Sequence, residues 1–142
     1  MKKIIAASLF AGAFVSVGAF AAATDVQLTA DAYVSVGSTS TDINLARQFN
    51  ILAVDSRQGF VKNDFESTLS ANVVAGALDN AANNRFGVEA GSNKGYVAFT
   101  GSSVGGSVSQ CGDPVKKGTT DLAASLIDGS KMDLNEPNGC KP

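Results

Sequence analysis

Asp25-Val26-Gln27-Leu28-Thr29-Ala30-Asp31-Ala32-Tyr33-Val34-Ser35-Val36-Gly37 sets the fold class of this 142-residue chain. Val26, Leu28, Ala30, Ala32, Val34 and Val36 take every second position, and Gln27, Thr29, Asp31, Tyr33 and Ser35 fill the positions between. Successive side chains of an extended chain point to opposite faces, so this period of two predicts one long strand with a greasy face and a wet face. Gly37 to Asp42, a run of Gly, Ser, Thr and Asp, then reads as a loop.

The same grammar continues downstream. Ile43 and Leu45 open a short segment, and Phe49 to Val54 is an apolar run suited to a buried strand. Asp55 to Gly59 reads as a turn leading to Phe60, Val61 and Phe65, and Glu66 to Val74 alternates again. The polar stretch around Asp79 to Asn84 suggests that residues 76 to 84 form a loop. Arg85 to Ala90 and Tyr96 to Thr100 flank Gly91-Ser92-Asn93-Lys94-Gly95, a composition that makes a hairpin. Val104 to Gln110 is a Ser/Gly-rich strand, and Thr120 to Asp128 has the cap and apolar spacing of a short helix stopped at Gly129. Many short strands with Gly and Asn punctuation imply a mainly β fold. The expected architecture is an Ig-like sandwich or a partly open β-barrel, with one short helix in a C-terminal loop.

Upstream of the alternating stretch lies a different kind of segment. Lys2 and Lys3 precede an uncharged run from Ile4 to Phe20, and Ala19-Phe20-Ala21 places small residues where a signal peptidase reads them. This three-part layout predicts a cleaved Sec signal over residues 1–21 and one β-rich domain over 22–142. The run is too short, and too diluted by Ser8, Gly12, Ser16 and Gly18, for a spanning helix. Cleavage leaves 121 residues, with nine basic against thirteen acidic side chains, hence a net charge of −4. The basic residues are scattered, which argues against nucleic-acid or anionic-membrane partners. The expected location is extracytoplasmic, the periplasm and then the cell surface.

Cys111 and Cys140 are the only cysteines. An even pair in an oxidising compartment reads as one disulfide, closing a loop over 111–140. The spacing is far from Cys-x-x-Cys, and a chain without histidine cannot complete a histidine-bearing zinc site.

The same absence removes Ser-His-Asp and Cys-His catalysis. Asp55, Asp64, Glu66 and Glu89 sit beside turns or on expected wet faces, where carboxylates serve as solvated surface charge. Gly101 to Gly106 is glycine-rich but lacks the Lys-Ser/Thr and the following helix of a phosphate cradle. Asp128, Asp133, Asn135 and Glu136 gather oxygen atoms of the kind calcium takes. Pro137 stands where a further ligand is due, so the reading is of a turn-rich loop without metal. No catalytic residue and no cofactor are expected, and the chain reads as a non-enzyme.

A long alternating strand at a new N-terminus has one well-known use. It can add to an incomplete sheet of a neighbouring subunit, with backbone hydrogen bonds giving affinity and alternate side chains filling pockets. Ala23-Thr24-Asp25-Val26-Gln27-Leu28-Thr29-Ala30 and Gly59 to Glu66 resemble chaperone–usher fimbrial subunits, particularly the alpha-type and common-pilus major subunits. Cys140-Lys141-Pro142 departs from that family's terminal strand. The Cys111-to-Cys140 loop, with Thr120-Asp121-Leu122-Ala123-Ala124 inside it, is also similar to the C-terminal disulfide loop of type IV pilins. Their Gly-Phe processing site and early glutamate are missing here, so the first resemblance is preferred.

The resemblance implies a structural or adhesive subunit of a bacterial surface filament. It would self-assemble by strand exchange over residues 22–37, with a periplasmic chaperone as a further partner. Val26, Leu28, Ala30, Ala32, Val34 and Val36 would be the pocket residues. The alternative is a small monomeric periplasmic or secreted binding or inhibitor protein.

Overall fold

The structure is a computed structural model that describes residues 23–37, 43–118 and 126–141. The expected signal segment lies outside these residues, as does most of the expected helix from Thr120 to Asp128.

Among the described residues, eight strands form two sheets. β1 (Thr24–Gln27), β3 (Arg47–Leu52) and β4 (Phe65–Leu69) make a three-stranded sheet in the order β1-β3-β4. β2 (Tyr33–Val36), β5 (Val73–Asn80), β6 (Arg85–Ser92), β7 (Ala98–Ser102) and β8 (Ser109–Cys111) make a five-stranded sheet in that order. Every neighbouring pair is antiparallel except β1 with β3. The fold is mainly β, as the alternation predicts. The two sheets pack as a sandwich and do not close into a barrel.

The 25–37 stretch is two strands, not one. Asp31 takes a left-handed backbone, φ 57°, which Asp tolerates better than most residues, and the chain turns there. β1 then belongs to one sheet and β2 to the other. A straight strand of thirteen residues would run about 43 Å, longer than the strands of an ordinary small domain. The phase nevertheless survives the turn, because both sheets face the same core. Leu28, Val36, Phe49, Ile51, Val54, Ala75 and Ala77 form that core, with Val26, Val61, Leu69, Phe86 and Ala90 packed against it. Ala30 and Ala32 sit at the turn, outside the core cluster.

Three further boundaries differ from the sequence reading. The alternation from Glu66 to Val74 is interrupted at Asn72, φ 65°, which separates β4 from β5. Residues 76–80, expected in a loop, continue β5. Their Ala and Gly side chains are small because this strand is covered on both faces, and the polar turn begins only at Ala81. The Val104 to Gln110 strand shrinks to β8, since Gly105 and Gly106 have φ of 125° and 88°.

A third layer lies on the other side of the five-stranded sheet. Val74, Ala98, Leu126 and Ile127 form a second core, and the segment from Gly129 to Cys140 continues across the sheet. Met132 and Leu134 lie over Gly87, where a Cβ would collide with both side chains. Arg85 holds this segment through the Leu134 carbonyl at 2.7 Å and Asn135 Oδ1 at 2.8 Å. Cys111 and Cys140 are bonded, with Cα atoms 5.5 Å apart, which ties the layer to β8.

Candidate functional site

The N-terminal strand is the first candidate. Among the described residues β1 is an edge strand, hydrogen-bonded only to β3, in a parallel register that sets Thr24 opposite Phe49 and Val26 opposite Ile51. Leu28 extends it by donating its N–H to the Leu52 carbonyl at 2.9 Å, and Gln27 Nε2 donates to the Ala53 carbonyl. Leu28 is 2% exposed and Val26 is half-buried. Of the six expected pocket residues, Val26 and Leu28 therefore ride on β1, Val34 and Val36 on β2, and Ala30 and Ala32 on the turn between them.

That turn is anchored by Asp79, which is wholly buried in β5. The Asp79 carbonyl accepts the Asp31 N–H at 2.8 Å, and its carboxylate accepts the N–H groups of Phe60 at 2.6 Å and Val61 at 3.0 Å. Gly59 is required beside it, since a Cβ there would strike the carboxylate. One buried acid thus fixes both the turn after β1 and the loop before β4. Burial without such partners would be prohibitive for a carboxylate.

The second candidate is a polar row beneath the C-terminal layer. On that face of the five-stranded sheet, Ser35, Gly76, Glu89, Thr100 and Ser109 stand opposite one another across β2, β5, β6, β7 and β8. Glu89 and Thr100 are wholly buried. Glu89 Oε2 accepts the Tyr33 hydroxyl at 3.1 Å and the Gly129 N–H at 3.2 Å. Among the described residues, Glu89 Oε1 and Thr100 Oγ1 have no hydrogen-bond partner. Tyr33 reaches Glu89 across Gly76 and packs under Gly129, positions where a Cβ would overlap its ring or hydroxyl. At the far end Asn138 Nδ2 donates to Ser109 Oγ.

Burial pushes the Tyr33 phenol well above its ordinary range, and the Glu89 charge and hydrogen bond and the Asp128 charge add to that. Asp128 moves the other way. The Ser130 hydroxyl, donating to its carboxylate at 2.7 Å, favours the charged form and lowers its pKa.

Glu89 corrects the sequence reading. The alternation of Phe86, Val88 and Ala90 put Glu89 on the wet side of β6, but the C-terminal layer covers that side. The opposite face is the more open one: Val88 is 39% exposed against 0% for Glu89. Neither burial nor the row was readable from a period of two, which separates the faces without saying which is covered. The other acids behave as expected: Asp55, Asp64 and Glu66 are exposed. Asp64 additionally accepts the Ala53 N–H at 2.8 Å.

The oxygen-rich C-terminal residues do not converge. Asp128 Oδ1 binds the N–H and hydroxyl of Ser130, and Asp133 Oδ1 accepts the N–H and side-chain amide of Asn135. Each acid closes its own short turn. Among the described residues no group of three or more acidic, histidine or cysteine side chains stands close enough to share a metal ion. Among the same residues no helix is long and apolar enough to cross a membrane.

No family model, no curated protein and no solved structure matches this chain.

Proposed function

We propose that the chain is an exported structural or adhesive subunit of a bacterial surface filament, joined to its neighbour through the N-terminal strand. The observation that carries this reading is β1 itself. Among the described residues it is a four-residue edge strand with a single hydrogen-bonded neighbour, and a left-handed turn at Asp31 sets it apart from β2. An element of that kind can leave its own sheet and take the same place in another copy, since the acceptor groove is already shaped for Val26 and Leu28. The disulfide supports an oxidising compartment.

The exchanged unit in this proposal is shorter than the alternation suggests. Residues 24–28 would move, Thr29 to Ala32 would serve as the hinge, and β2 would stay with its own five-stranded sheet. Deleting residues 24–28 should abolish filaments of the exported protein in electron micrographs. A synthetic peptide of residues 23–29 should then bind the truncated subunit and raise its melting temperature. A truncated subunit that still forms filaments, or that ignores the peptide while remaining folded, would falsify the reading.

A further inference from the structure

The five-stranded sheet is wider than the sheet that covers it. On its core-facing side, Val36, Ala75 and Ala77 lie under the three-stranded sheet. The same face continues across β6 and β7 as Phe86, Val88, Ala90, Phe99 and Gly101, with Val108 just ahead of β8. Val108 sits over Gly101, within 3.1 Å of where a Cβ would be. Phe86 and Ala90 still pack against the core, and beyond them the described residues leave this face uncovered. Val88 is 39%, Phe99 47% and Val108 72% exposed, and Phe60, stacked on Phe86 at 6.2 Å, is 40% exposed. Val88, Phe99 and Val108 line a shallow groove that ends at Phe86.

We infer that this uncovered half-face packs against the same half-face of a second copy of the chain, making an isologous dimer. Three observations select that occupant. First, the nine residues lining the groove include no charged side chain, although the protein is acidic. Two identical copies can therefore meet there without placing like charges at the contact, whereas a strongly charged partner would find nothing to pair with. Second, the area fits. The exposed apolar side chains present on the order of 400 Å². A stable interface buries about 800 Å² per partner, a little over half of it apolar. The patch supplies that apolar share, and Ser102, Ser103 and Gln110 supply a polar rim. Third, what covers the other half of this face is a β-sheet of this same chain. Sheet faces pack on one another with interdigitated side chains at about 10 Å, and a second copy brings a matching twisted, alternating surface.

The contact does not rest on strand exchange. An isologous contact closes at two copies, whereas head-to-tail exchange continues without limit.

Sedimentation equilibrium of the exported protein at micromolar concentration tests the pairing. At concentrations too low for head-to-tail strand exchange, the parent should reach twice its monomer mass. Val108→Glu and Phe99→Ser should each lose the dimer at concentrations where the parent keeps it. Their melting temperatures, measured at concentrations where the parent is monomeric, should match the parent's. Leu45→Glu, which changes a 63% exposed side chain outside the groove, should keep the dimer. A parent that is monomeric throughout overturns the inference, whether or not it floats with neutral lipid vesicles. So does a dimer that survives both groove substitutions. A ladder of larger masses that Val108→Glu leaves unchanged would report strand exchange alone and would also overturn it.

Discussion

At the scale of single residues, Glu89 and Tyr33 show how tightly buried polar groups are constrained. Among the described residues, the carboxylate uses one oxygen for two donors and leaves the other without any, beside a Thr100 hydroxyl in the same condition. Glutamine in place of glutamate keeps one acceptor oxygen and gives the second position two N–H donors, with Thr100 directly opposite in register. Glu89→Gln should therefore be as stable as the parent or more so. Glu89→Ala should lose about 2–3 kcal/mol, because it strands the Tyr33 hydroxyl and the Gly129 N–H; urea unfolding distinguishes the two. Tyr33 adds a pH dependence. Its folded pKa is raised, so its contribution is complete below the unfolded value near 10 and is lost as pH climbs beyond it. The melting temperature should fall between neutral pH and pH values above 10. Tyr33→Phe should flatten that alkaline limb while lowering stability at neutral pH.

Among elements, the C-terminal layer is the one that sequence pattern describes least. From residue 127 to 141 it has little regular structure, a short turn of 3₁₀ helix at Pro137–Gly139 and a bridge between Met132 and Cys140. Its place depends on apolar burial, on Arg85 and on the disulfide. Removing the bridge with Cys111→Ser and Cys140→Ser should cost about 3.5 kcal/mol, the chain-entropy value for a loop of this size. Unfolding of the double variant by denaturant would measure it. Because the layer covers Glu89, the variant should also show faster hydrogen exchange at the Gly129 amide than at amides of β3. The hairpin of β6 and β7 was legible from its Gly- and Asn-containing connection. The β4–β5 junction was not, since Asn72 interrupts an alternation that runs unbroken through it.

For the whole molecule, the unequal widths of the sheets are the feature with most consequence. Three strands cover part of a five-stranded face, while the opposite face is roofed by a tail. The result is a domain whose polar row lies inside and whose Val88, Phe99 and Val108 lie partly outside. Such an arrangement predicts that the chain associates. If residues 1–21 are removed on export, intact mass spectrometry should find a chain beginning at Ala22, and that chain should carry no free thiol. The disulfide already present between Cys111 and Cys140 accounts for both cysteines.

The alternation of residues 25–37 determined the mainly β class and the inward phase of Val26, Leu28, Val34 and Val36. Both follow from local geometry, because neighbouring side chains of a strand must point opposite ways. The two cysteines, an even pair, likewise pointed to the disulfide. Tertiary structure decided the rest: that the stretch breaks at Asp31 and serves two sheets, that 76–80 is strand, and that Glu89 lies inside while Val88 faces out. Those outcomes depend on which face a distant segment covers. Residues 126–141 pack on one side of the five-stranded sheet, and the three-stranded sheet stops short on the other. A period of two separates the faces of a strand. Only the packing of the remaining chain says which of them is dry.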